Sequence, residues 1–231
     1  MADLFNFACT ANFGRSVPAA LVGYDYLLKS GLEQEYSTIS SGTSVNDILA
    51  GRNPKPVMER FVEMAVKRGD VYSSSQLKEL DRAVRERDDR AFARLYKIVE
   101  AQFHHDEAEN RQVVLPEFGL SPDRLKCSQD QLTPLDDVVA IFPLAEGNYR
   151  QAVAIHEKAG YTPSSKRSPI GTIMEKGGHA VLIAVLAAYA RDNPHAQTPD
   201  AFGKPREAYR ETIVSIVTDV PLAIERFHSK R

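Results

Sequence analysis

The chain has 231 residues, 43% of them hydrophobic, with a formal charge of −2 and a pI near 6.3. That length buries a sizeable core, enough for one α/β domain carrying insertions, while the near-neutral charge argues against a nucleic-acid or membrane surface as the main partner and suits a small molecule or a phosphoprotein better. Only Cys9 and Cys127 occur, no signal-peptide pattern opens the chain, and the apolar stretch Ala180 to Ala190 is too short to span a bilayer, so a reducing cytoplasm is the expected setting.

The first elements already enclose a chemical pattern. Leu4 to Ala8 reads as a short strand, and Val17 to Lys29 carries apolar residues at helical spacing with Pro18 in the first turn, where its missing N–H costs nothing. Between them runs Cys9-Thr10-Ala11-Asn12-Phe13-Gly14-Arg15-Ser16. A loop of this length ending on a helix N-terminus turns backbone N–H groups toward one point and adds the positive end of the helix dipole, which is a place for an oxyanion. Arg15 supplies a planar fork of donors for two of its oxygens, and the same field favours Cys9 as a thiolate. Asn12 and Gly14 are residue types that tolerate positive φ, and Ser16 is placed to donate its hydroxyl to the sulfur.

Cysteine, five residues, arginine and serine between a strand and a helix resemble the C-x-G-N-x-C-R-S loop of the low-molecular-weight protein tyrosine phosphatase family. Cys9, Asn12, Arg15 and Ser16 fall on that pattern, whereas Ala11 stands in place of a glycine and Gly14 in place of a second cysteine. The resemblance implies a cysteine nucleophile without the protective disulfide that the second thiol would allow.

Farther along, Glu35 to Ser44 is a β-rich run closing in a small-residue turn, which makes a parallel βαβ start. The family has S-A-G-T-S here, and Ser40 aligns with the serine that stiffens its phosphate loop through the asparagine, in this chain Asn12. Val57 to Arg68 follows as a core-packing helix that Gly69 can end. Beyond it Ser74 or Ser75 replaces a histidine with which the family supports its loop. Leu77 to about Phe103 reads as charged helix with an apolar stripe of Leu80, Val84, Phe92, Leu95 and Val99, part of a helical hairpin reaching about Asp130 that compact family members lack. His104-His105-Asp106 is read as solvated helix and not as a metal site, because neighbouring helical residues point about 100° apart. Cys127 is read as an ordinary thiol, with a redox role toward Cys9 left open.

Asp136 to Pro143 contains the clearest buried strand, and a helix near Asn148 to Ala159 follows it. The segment from Gly160 to Asn193 holds a basic loop, Ser164 to Arg167, read as solvated or as rimming the pocket, and an amphipathic stretch, Glu175 to Arg191. Last, Asp200-Ala201-Phe202-Gly203 before the final apolar helix resembles the family's D-P-[FY]-G loop, which gives Asp200 the general-acid position.

For the whole, residues 1–231, the resemblance implies a single three-layer α/β domain around a four-stranded parallel sheet, with insertions at about 78–132 and 161–195. The resemblance implies a phosphomonoester hydrolase acting through a cysteinyl-phosphate, with Cys9, Arg15 and Asp200 catalytic. Residues 10–16 (Thr10, Ala11, Asn12, Phe13, Gly14, Arg15, Ser16) would bind phosphate, and Asn12, Ser16 and Ser40 would brace the loop. No metal or cofactor is expected. Substrates would be a phosphorylated protein or small phosphomonoester, and inorganic phosphate a ligand. Two alternatives remain open: an arsenate reductase, for which only Cys127 could resolve an adduct, and a phosphate- or phosphoprotein-binding module with weak or no turnover.

Overall fold

In the computed structural model, which describes residues 2–12, 14–124, 130–164 and 170–231, the first three elements lie where the sequence pattern puts them. Strand β1 (Asp3–Cys9) is followed by α1 (Ser16–Ser30) and β2 (Tyr36–Gly42), and β1 and β2 pair in parallel from Asp3 opposite Tyr36 to Cys9 opposite Gly42. Phe5, Phe7 and Ala8 have no exposed surface, so both faces of β1 are covered, as a central parallel strand requires. On its other side β1 pairs in parallel with β3 (Val138–Pro143), all of whose residues are buried.

The sheet differs from the expected one. It has six strands in the order β2-β1-β3-β6-β5-β4, where β4 is Thr162–Pro163, β5 Thr172–Lys176 and β6 His179–Ile183. The β2-β1-β3-β6 part is parallel, whereas β5 and β4 add antiparallel at the edge. The reason lies in the stretch Glu175 to Arg191: Gly177 and Gly178, at φ 58° and 87°, turn the chain tightly and make β5 and β6 a hairpin. Only Leu186–Arg191 (labelled α7 below) is helical there. The fourth parallel strand therefore comes from within the segment read as an insertion.

Helices cover both faces. α1, α7 and α8 (Arg206–His228) close over one, around Phe5, Phe7, Phe142 and Ile216, and α6 (Glu146–Lys158) covers the other, around Ile141, Ala152 and Met174. After the short α2 (Val45–Leu49), a third core forms among α3 (Lys55–Arg68), α4 (Ser74–Glu86) and α5 (Asp89–Val114). The charged run at 85–90 is not helix interior. Arg87 takes φ 55° and Asp88 accepts hydrogen bonds from the N–H groups of Arg90 and Ala91, so one helix ends and the next is capped there. From that cap α5 continues beyond Phe103 to Val114. Among the described residues, no helix is long and apolar enough to cross a membrane.

Candidate active site

Cys9 is the last residue of β1 and is 4% exposed. The chain leaves the strand, turns through Asn12 at φ 50° and enters α1 at Ser16, with Arg15 as the residue before the helix. Sγ of Cys9 lies 3.0 Å from Oγ of Ser16, whose hydroxyl donates to Oδ1 of Asn12 at 2.9 Å. Nδ2 of Asn12 in turn donates to the backbone carbonyl of Ser40 at 3.3 Å. A short chain of hydrogen bonds thus links the sulfur to β2 across the loop. The bond from Asn12 thus meets Ser40 at its backbone carbonyl.

A second set of bonds holds the loop from the far side. The N–H groups of Thr43 and Ser44 donate to the carbonyls of Cys9 and Thr10 at 2.8 and 3.0 Å. Nδ2 of Asn148, in the first turn of α6 and buried, donates to the hydroxyls of Thr10 and Thr43. Such closeness needs Gly42, because a β-carbon there would stand 2.7 Å from the backbone N of Asn12. Thr10 itself is exposed and Ala11 half-buried, so this side of the loop faces outward.

Arg15 and Asp200 come together from opposite ends of the chain. Nε of Arg15 lies 3.6 Å from Oδ1 of Asp200, and its NH1 donates to the carbonyl of Thr198 at 3.4 Å. The arginine side chain is 11% exposed and the aspartate 45%, so one is held under the surface and the other opens to solvent. Next to Asp200, Phe202 packs edge-on against Phe61 of α3 and against Phe103 and His104 of α5, with centroids 5.2–5.7 Å apart. His104 thus serves the aromatic contact. His105 is exposed, and Asp106 accepts from Gln102 and Arg68.

One residue of the loop and one of α5 have parts here that their types do not suggest. At Gly14 the missing side chain makes room, since Oε1 of Glu107 lies 3.2 Å from where a β-carbon at position 14 would stand. Glu107 is 4% exposed, on α5, and nothing in the loop pattern points to it. Burial pushes its carboxyl up to about 7 against the pull of Arg111, with Asp200 adding to the rise and Arg15 opposing it. A signal existed: the buried stripe of α5 runs Val99, Phe103, Glu107, Arg111 at spacing four, so an acid and an arginine continue an apolar face. Thr43 and Asn148 carried no such signal.

The remaining expectations fall elsewhere. Ser74 and Ser75 begin α4 at an exposed end where Ser73 and Gln76 form a capping box. Phe13, Cys127 and Ser165, Lys166 and Arg167 of the basic loop lie outside the described residues.

No family model and no curated protein matches the chain. Solved structures do. A protein tyrosine phosphatase from Entamoeba histolytica with Hepes in its active site is 12% identical, with 99% of each chain covered and a TM-score of 0.53. YfkJ from Bacillus subtilis is 15% identical, with 100% of this chain and 98% of that one covered and a TM-score of 0.54. The YwlE arginine phosphatase from Geobacillus stearothermophilus is 14% identical over 99% and 94% of the two chains, with a TM-score of 0.50. At such identities the likeness is one of architecture, and by it the chain has the fold of the low-molecular-weight protein tyrosine phosphatases.

Proposed function

We propose that the chain is a phosphomonoester hydrolase that works through a phosphorylated Cys9. The observation that carries this reading is the convergence, on one end of β1, of a buried cysteine bonded to Ser16, an arginine at the start of α1, and an aspartate from the far end of the chain beside that arginine. Each part has one task. The Cys9 thiolate attacks phosphorus, forming the S–P bond as the P–O bond to the leaving group breaks, and Asp200 delivers its proton to the departing oxygen. Arg15 and the N–H groups of the loop hold the other three oxygens while charge gathers on them. Asp200, now ionised, takes a proton from water, whose oxygen attacks phosphorus and releases Cys9 as thiolate and phosphate as product. No step in this sequence calls for a metal.

Ser16 fits the first step. Its single hydroxyl proton goes to Asn12 in the structure and can swing to sulfur once Cys9 is ionised, so the loop offers the thiolate a donor without moving its backbone. The substrate class is a phosphorylated protein or small phosphomonoester, in keeping with fold neighbours that include both a tyrosine and an arginine phosphatase.

The test is phosphate release from a series of aryl phosphates, with a chelator present, by wild type and Asp200→Ala under single-turnover conditions. Loss of the general acid should slow esters of poorly leaving phenols by about 10²–10⁴-fold and activated esters much less. Equal slowing across the series, or none, would remove Asp200 from the mechanism, and a chelator-sensitive wild type would remove the mechanism.

A further inference from the structure

Helix α5 supplies no residue to the scheme above, yet it buries three polar side chains on one face, Glu107, Asn110 and Arg111. Asn110 accepts a hydrogen bond from Arg206 at the start of α8. Glu107 reaches the loop itself, in the space left by Gly14 and next to Arg15 in sequence. A carboxyl is an unexpected neighbour for an anion cradle, and its effect depends wholly on whether it carries a proton.

We propose that Glu107 is a positioning residue of this site, whose buried carboxyl sets by its charge how strongly Arg15 and the loop hold an oxyanion. The inference rests on the phosphate-cradle reading and adds a group to it. In the neutral form Glu107 leaves the guanidinium of Arg15 and the loop dipoles to the ligand. Ionised, it competes for that positive field from below, in a poorly solvated place where a unit charge acts strongly over a few ångströms. The charged and titratable groups around it are Arg111 and His104 on α5 itself, Arg15 on the loop, and Asp200 on the facing loop. Burial holds His104 below its ordinary value, which favours its neutral form. The arginines keep their charge throughout.

A ligand whose own charge is constant isolates the effect. Sulfate is such a ligand near neutrality, and the Cys9→Ser protein removes the competing ionisation of the thiol. Calorimetry of sulfate binding to Cys9→Ser should show affinity about tenfold weaker at pH 8.5 than at pH 6, the factor that corresponds to one unit of coupling between ligand and carboxyl. In Cys9→Ser with Glu107→Gln the affinity should stay level across that range, near the low-pH value. A level affinity in Cys9→Ser alone overturns the proposal, and so does an unchanged slope in the double variant. The first comparison needs no substitution at position 107, so it decides even if the double variant does not fold. Absence of sulfate binding by Cys9→Ser at every pH would instead sink the cradle reading and the proposal with it.

Discussion

At position 14 the chain carries no side chain, and the room is occupied by the Glu107 carboxyl. That exchange has a thermodynamic sign. Glu107 titrates near 7 in the folded protein against an ordinary 4.5, so between those values the folded state binds a proton that the unfolded chain has already lost. Stability from this group is full below pH 4.5 and is lost as pH rises through 7, in total about 3 kcal/mol. Glu107→Gln cannot lose it. Urea unfolding at pH 5 and pH 8 should therefore show the wild type falling relative to Glu107→Gln by about that amount. Parallel pH dependence of the two proteins would mean that Glu107 is charged and paired in the native state.

Among the elements, α5 helps seat the loop that carries Asp200. Phe202 sits in a cluster with Phe61, Phe103 and His104, and Gly203, at φ 73°, lies so close to the Phe103 ring that any β-carbon there would overlap it. The loop that carries Asp200 is therefore seated on the α3/α5 core. Phe202→Ala should cost about 2 kcal/mol of stability, less than a fully buried phenylalanine because this one is only half-buried. It should also slow hydrolysis of poorly leaving esters about tenfold by loosening Asp200, while sulfate affinity changes less than about twofold. If affinity fell as much as rate, the cluster would be supporting the cradle and not the acid.

This is also the scale at which sequence and structure part. The β1-loop-α1 unit was legible because its signals are local: an apolar run, a polar turn and a helical period lie within thirty residues. Gly69, at φ 79° after α3, was legible for the same reason. The α5 contribution was not, because a glutamate on an apolar stripe reads as a surface residue until the partner that covers it is known. The β5–β6 hairpin was missed where amphipathic spacing over 175–191 outweighed two adjacent glycines.

In the whole molecule the strand order does the gathering. With β1 between β2 and β3, the carboxyl ends of three parallel strands deliver Cys9, Thr43 and the α6 residue Asn148 to one edge, where open α/β sheets hold their ligands. The segment between α7 and α8 then brings Asp200 to Arg15 from far along the sequence. The proposed function puts the chemistry on the sulfur, so the most direct measurement is of what becomes attached to it. Wild type mixed with an activated aryl phosphate, quenched within one turnover and digested, should yield a phosphoryl group on the peptide containing Cys9. Cys9→Ser should yield none and release no phosphate above background. A phosphoryl group on another residue, or hydrolysis by Cys9→Ser at a rate near that of wild type, would contradict the account.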